Sequence, residues 1–210
     1  MKSKLIRIYF YLRKFRFPGS KNFWKNNYAN GGTSGPGSYG ELAQFKAEFL
    51  NQFVRENNVS SVVEFGCGDG NQVSFFDFPN YIGVDISPVA INLCNSNNRR
   101  KNYKFYEYNP SERLSTIAVG TFDLTLSLDV IYHLVEKSVY LRHLQLLFES
   151  SHRYVIIYGH NSNEFFPEDF THPREFTTDI SQMFPMWELA EHVKNELSSW
   201  SDFYVFRQKA

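Results

Sequence analysis

Cysteine is scarce in this chain, long apolar runs are absent, and neither sign of charge prevails. Only Cys67 and Cys94 occur, with no metal-like CxxC pairing. A reduced, cytoplasmic compartment is the simplest expectation from that count. No stretch reaches the ~18 uninterrupted apolar residues of a membrane span. The 22 basic and 22 acidic residues cancel, so the whole molecule exerts no bulk attraction on nucleic acid. Asp123, Asp129 and Glu136 are too scattered to build an octahedral oxygen site, and no metal is expected.

What is present is unevenly placed. Aromatics are many, with 21 Phe and 13 Tyr, which suits a wide aromatic pocket or core. The 210 residues fit one α/β domain with a small extension. Residues 1–40 carry eight bases, from Lys2 to Lys25, and no acid. The other 14 bases face all 22 acids downstream. KSKLIRIYFYLRKFRF mixes bases with apolar residues but lacks the small-residue cleavage site of a secretory signal. Two readings stand for residues 1–20. They lie against an anionic membrane surface, or they pack as a helix or arm on the domain or on a partner. YANGGTSGPGSYG, Tyr28 to Gly40, is irregular because Gly, Ser and Pro dominate it. The expected division is an extension over 1–40 and an α/β domain over 41–210.

From Glu41 onward helical and strand periods alternate. In ELAQFKAEFLNQFVREN, Leu42, Phe45, Phe49, Leu50 and Phe53 recur at helical spacing. VVEF reads as a short buried strand and GNQVSFFDF as the start of a helix. YIGVDIS is a second strand, with Ser87 as a cap and Pro88 opening a helix through VAINLCNSNN. NYKFYEYN, FDLTLSLDV and RYVIIYG are three more strands, with helical YLRHLQLLFES before the last. HPREFTTDISQMF reads as helical, and MWELAEHV with DFYVFRQ as a closing antiparallel pair. This alternation predicts a doubly wound α/β sheet, mostly parallel, with a C-terminal antiparallel strand pair. Ligands then bind at the edge formed by the strands' C-terminal ends.

VVEFGCGDGNQ puts Gly66, Gly68 and Gly70 directly after the first strand. Without Cβ atoms, backbone there turns sharply and approaches a ligand closely. Asp85 ends the next strand, 17 residues beyond Gly68. A carboxylate at that place accepts both ribose hydroxyl hydrogens of a nucleoside. The spacing is GxGxG and not the dinucleotide GxGxxG. Glu64 and Asp69 flank the loop; they repel a pyrophosphate and suit a cationic amino-acid moiety. S-adenosylmethionine carries an ammonium and a sulfonium, and no phosphate.

These residues together resemble class I S-adenosylmethionine-dependent methyltransferases, from about Glu41 to the end. VVEFGCGDG is similar to that family's first motif, YIGVDIS to its second, and FDLTLSLDVIYHL to its fourth-strand motif. The resemblance implies a Rossmann-like fold and S-adenosylmethionine as cofactor. It implies that Glu64, Gly66, Cys67, Gly68, Asp69 and Gly70 wrap the methionine part. Asp85 would hold the ribose, and Ile86 would pack on adenine. Asn109, beside Tyr108, would meet the adenine amino group, and Ser127, Leu128 and Asp129 would complete the cofactor site. WKNNYANGGTSGPGSYG also resembles a bacterial subgroup that accompanies surface-polysaccharide or sugar-modifying pathways. There an N-terminal segment closes over the cofactor, which makes Tyr28, Ser38 and Tyr39 candidates for its methionine end.

Methyl transfer is an in-line displacement that an enzyme serves mainly by alignment. An alcohol acceptor also needs a base. His133, just past the fourth strand, is the first choice, because neutral imidazole titrates near physiological pH. Asp129 is expected to orient it or to hold the acceptor, with a helix N-cap as the plain alternative. His172 is the alternative base. Arg174 reads either as a grip on an anionic acceptor or as a surface salt bridge. His143 and His152 read as structural. The expected activity is O-methylation of a small-molecule or sugar/glycan acceptor. Amine, nucleic-acid and protein acceptors stand as alternatives, as do an NAD-dependent sugar oxidoreductase or epimerase and a non-catalytic binder. Nucleic acid is disfavoured, because residues 41–210 are net acidic. The Asp/Asn-Pro-Pro-aromatic motif of amino-methylating DNA enzymes is also missing where SLDVIYH stands. Nothing in the sequence sets an oligomeric state.

Overall fold

The computed structural model describes residues 17–110, 121–164, 170–198 and 200–209. The expected membrane or partner contact of residues 1–20 falls almost wholly outside them. In chain order the elements are α1 (Ser20–Ala29), a 3-10 turn (Pro36–Ser38), α2 (Gly40–Glu56), β1 (Val62–Phe65) and a second 3-10 turn (Gln72–Phe75). They continue with β2 (Tyr81–Asp85), α3 (Pro88–Asn97), β3 (Tyr103–Glu107), β4 (Phe122–Leu128) and a third 3-10 turn (Ile131–His133). The chain ends with α4 (Lys137–Glu149), β5 (Ser151–Gly159), α5 (Phe176–Met183), β6 (Trp187–Val193) and β7 (Asp202–Gln208).

The seven strands form one sheet in the order β3-β2-β1-β4-β5-β7-β6. β1 to β5 run parallel, and β7 and β6 add antiparallel at one side. The central strands β1 and β4 are buried along their whole length, as parallel strands covered on both faces must be. One face packs Leu50, Phe53, Phe76, Phe78, Leu124 and Phe203 together. The other packs Phe65, Leu144, Leu147, Ile157, Phe176 and Phe206. The expected architecture is therefore observed. Its order reverses between β1 and β4, and that switch point opens the crevice where such sheets take ligands.

Three local readings are corrected. GNQVSFFDF forms only a single 3-10 turn. Phe76 and Phe78, two apart and both buried, stack 4.5 Å from each other, an extended spacing that a helix cannot satisfy. In HPREFTTDISQMF the helix starts only at Phe176, because Arg174 pairs with Asn161 in an extended bridge. Before Gly40, SKNFWKNNYA folds as α1, an element that its weak periodicity hid. No described helix is long and apolar enough to cross a membrane.

Candidate functional site

The crevice at the switch point is a cleft of about 960 Å³, counting its open mouth. Its floor comes from the loop after β1 and from the ends of β2 and β4, and its roof from the segment Ser20–Ser38.

The glycine loop is shaped by its roof. Gly68 has φ 59°, and a Cβ on it would clash with the Ser34 Oγ and meet the Tyr28 hydroxyl at 2.9 Å. Tyr28 and Ser34 are themselves bonded at 3.0 Å. Asp69 clamps the same segment: its Oδ2 accepts from the Ser34 N–H and the Tyr39 hydroxyl, both at 2.8 Å. Its own N–H donates to Ser34 Oγ at 2.9 Å. The Asp69 carboxylate is thus occupied by the roof and does not line the cleft, which corrects its expected place around a methionine group. Tyr39 is likewise a latch on Asp69, whereas Tyr28 and Ser38 do line the cleft. At the other end of the roof, Ser20 N–H and Oγ donate to Glu136 Oε1 and Oε2 at 3.0 and 2.6 Å, and the Val135 N–H returns a bond to Ser20 Oγ.

Asp85 lines the cleft at the end of β2. Its Oδ2 accepts from the Gly68 N–H at 3.1 Å and its Oδ1 from the Ser87 N–H at 2.9 Å. Burial pushes its carboxyl up to about 6, against the pull of those backbone donors. Each oxygen keeps acceptor capacity for a ribose hydroxyl. Ile86, Tyr108 and Pro110 form the adjoining wall. Asn109 is not part of the lining, nor is Gly70, which packs on Cys94.

Glu64 lines the cleft at the end of β1 and accepts from the buried Tyr81 hydroxyl. Burial pushes its carboxyl up to about 7, against the Tyr81 bond and the nearby Lys46. Gln72, which the sequence reading missed, also lines the cleft; its Nε2 donates to the Ala43 carbonyl at 2.9 Å. Lys46 was missed too. It is fully buried on α2 and donates to Asp129 Oδ2 at 2.6 Å.

Asp129 follows β4 with φ 58°, and Tyr132 donates to its Oδ1 at 2.9 Å. It was expected to orient His133 or to hold the acceptor; the imidazole is held from elsewhere, and Asp129 itself lines the cleft. His133 Nδ1 instead meets the Phe170 carbonyl at 3.0 Å. A carbonyl only accepts, so Nδ1 carries the proton and Nε2 keeps its lone pair. His133 lines the cleft, edge-on to Trp24 at 4.8 Å and stacked with Phe170 at 5.7 Å. Burial holds its pKa below the ordinary imidazole value.

Other expected contributors lie elsewhere. Ser127 is fully buried and bonds His143 Nε2 at 2.8 Å rather than facing the cleft; Leu128 does face it. His143, expected to be structural, reaches the cleft wall, and burial pushes its pKa down to about 4. His172 is not in the lining; its N–H donates to the Tyr132 carbonyl at 2.7 Å. Arg174 is neither anion grip nor surface ion pair. It donates to the carbonyls of Leu134, Val135 and His172 and lies 4.4 Å over the Tyr140 ring. Among the described residues no group of His, Cys, Asp and Glu is placed to hold a metal.

The chain was compared with known proteins. Residues 39–200 match the family model described as a methyltransferase domain. A stretch of 55 residues is 38% identical to the small RNA 2'-O-methyltransferase of Arabidopsis thaliana; it spans 24% of this chain and only 6% of that protein. Among solved structures, the N-methyltransferase NodS of Bradyrhizobium japonicum WM9, in complex with S-adenosyl-L-homocysteine, superposes with TM-score 0.69 at 14% identity, over 91% of this chain and 100% of that one. CalS10, an amino pentose methyltransferase of Micromonospora echinaspora solved with S-adenosylmethionine bound, superposes with TM-score 0.63 at 13% identity, over 81% and 93%. The chain belongs to the methyltransferase-domain family and has the class I, Rossmann-like fold of S-adenosylmethionine-dependent methyltransferases.

Proposed function

We propose that this methyltransferase moves the methyl group of S-adenosylmethionine to an oxygen of a small-molecule or sugar acceptor, with His133 as base. The observation that carries the reading is the imidazole at the cleft whose tautomer is set by the Phe170 carbonyl. The cleft fits the cofactor: Asp85 offers two oriented acceptors for the ribose, Ile86 and Tyr108 a wall for the base, and Glu64 an acidic end for the amino acid. When bound, S-adenosylmethionine supplies an electrophilic methyl on a sulfonium. Nε2 of His133 would take the hydroxyl proton as the acceptor oxygen gained the methyl and the methyl–sulfur bond broke, with S-adenosylhomocysteine as the leaving group; lowered basicity keeps that nitrogen neutral at physiological pH. Trp24 and Phe170 pack against the imidazole and hold its orientation. A sugar acceptor draws support from the likeness to the amino pentose enzyme and from the roof segment's resemblance to sugar-pathway relatives.

The test is transfer of labelled methyl to a panel of sugars and sugar nucleotides by the parent and His133→Ala. The variant should bind S-adenosylhomocysteine as the parent does and turn over about 10²-fold more slowly or worse. Unchanged turnover would remove His133 as base. Calorimetric binding of NAD, with none of S-adenosylmethionine or S-adenosylhomocysteine, would sink the cofactor reading itself.

A further inference from the structure

Among the described residues that line the cleft, Lys21 is the one lysine or arginine. It makes no ion pair among the described residues. Two other lysines close to the site are taken, Lys25 by Glu107 at 3.2 Å and Lys46 by Asp129 at 2.6 Å. Glu136, beside the start of α1, has both carboxylate oxygens filled by Ser20. Ser20, Lys21, Trp24 and Tyr28 all line the cleft, so they mark the face that α1 turns to it. The helix is a ruler for the site. Tyr28 stands over the glycine loop, its hydroxyl 2.9 Å from where a Gly68 Cβ would sit. Trp24, one turn back, lies edge-on to His133 at 4.8 Å. Lys21 lies one turn further back, roughly 10 Å along the axis from Tyr28, and is exposed. The order along α1 is therefore cofactor loop, base, unpaired ammonium. The cleft's carboxylates, Glu64, Asp85 and Asp129, all come from the strand ends of the floor. With the cofactor on the side of the glycine loop, an acceptor whose hydroxyl meets His133 extends past it toward Lys21. A lysine there is a point charge suited to a phosphate or a carboxylate.

We propose that the acceptor carries an anionic group, a phosphate or a carboxylate, which Lys21 holds while the acceptor hydroxyl meets His133. The substrate class is then a phosphorylated or acidic sugar and not a neutral one. This rests on the reading of sugar O-methylation above. Lys21 selects the acceptor and takes no part in the proton or methyl transfer.

The experiment is calorimetric titration of the S-adenosylhomocysteine-loaded protein with glucose, glucose 1-phosphate, glucuronic acid and UDP-glucose, at low and high salt. The parent should bind an anionic sugar about fivefold or more above glucose, and lose that margin as salt screens the contact. Preference for the two phosphates would name phosphate as the group held, and preference for glucuronic acid would name a carboxylate. Lys21→Met should lose about fivefold on the anionic sugars alone. Lys25→Met removes the same charge from the same helix outside the lining, and should bind all four as the parent does. Equal loss in Lys25→Met would reduce the effect to the overall charge of α1 and overturn the proposal. Unchanged binding in Lys21→Met would overturn it as well. So would a parent that binds glucose as tightly as the anionic sugars, or binds none of the four, and this comparison holds even if Lys21→Met does not fold. Methyl transfer to neutral sugars alone would remove this inference and leave the O-methylation reading standing. A parent that takes no S-adenosylhomocysteine fails the cofactor reading before any sugar is added.

Discussion

The ammonium of Lys46, on a fully buried side chain of α2, lies 2.6 Å from the Asp129 carboxylate at the end of β4. The pair joins two segments 83 residues apart. Tyr132 and Ser201 donate to the other carboxylate oxygen, and Lys46 also sits 5.1 Å from the Tyr158 ring. Asp129 is thereby fixed at the cleft in a left-handed backbone conformation. Removing one partner leaves the other charge buried and uncompensated. Lys46→Met and Asp129→Asn should each lower the free energy of unfolding in urea by about 3–5 kcal/mol. The double variant should lose clearly less than the sum of the two. Strict additivity would show that the two charges do not support each other.

Lys46 also shows where the sequence stops being informative. Ala43, Ala47, Leu50 and Val54 mark the buried stripe of α2, and Lys46 lies inside it. A lysine in an apolar stripe is a visible signal that a buried anion must answer it, but nothing local names Asp129. The strands were legible because parallel central strands are continuous apolar runs, and VVEF matches β1 residue for residue. The glycine loop and Asp85 were legible because their spacing is local to one strand-turn-strand unit. Gln72, the Asp69 latch and the His133–Phe170 bond depend on chain segments distant in sequence, and no periodicity encodes them.

Gly68 carries a prediction that the structure changes in kind. The sequence reading gives its missing Cβ to the ligand; the nearest atoms are those of Ser34 and Tyr28 in the roof. Gly68→Ala should cost about 1–2 kcal/mol from its left-handed backbone alone. It should also push the roof away, which limited proteolysis would report as faster cleavage between Tyr28 and Gly40. A protected roof in Gly68→Ala would show that Ser34 and Tyr28 yield without letting go of Asp69.

Arg174 ties the turn after β4 to the chain before α5. Its guanidinium bonds the Leu134 and Val135 carbonyls at 2.7 Å each and the His172 carbonyl at 3.2 Å. Arg174→Ala should destabilise by about 1–3 kcal/mol, because it strips donors from partly buried carbonyls. Arg174→Lys should recover less than half of that, since an ammonium cannot reproduce the planar fork. Urea midpoints of the three proteins decide it. Full recovery by lysine would reduce the site to a simple charge.

Glu64 supplies the pH dependence. Its carboxyl is pushed up to about 7 from an ordinary 4.5, chiefly by burial, with Tyr81 and Lys46 opposing and Asp85 and Asp129 adding to the rise. The folded chain thus holds this proton more tightly than the unfolded chain does. The contribution is complete below the unfolded value and is lost as pH rises through about 7. Glu64→Gln keeps an oxygen for the Tyr81 hydroxyl and has no proton to lose. The difference in unfolding free energy, variant minus parent, should therefore climb from about pH 4.5 to pH 7 and then level off. Asp85, pushed up to about 6, acts in the same direction, and His143, pushed down to about 4, acts in the opposite one. His143 is common to parent and variant and cancels in the difference; Asp85, which interacts with Glu64, loses that repulsion in the variant and adds to the same climb. A difference that stays flat across that window would mean that Glu64 is as acidic in the cleft as in the unfolded chain, and its neighbours, not its burial, would then govern its charge.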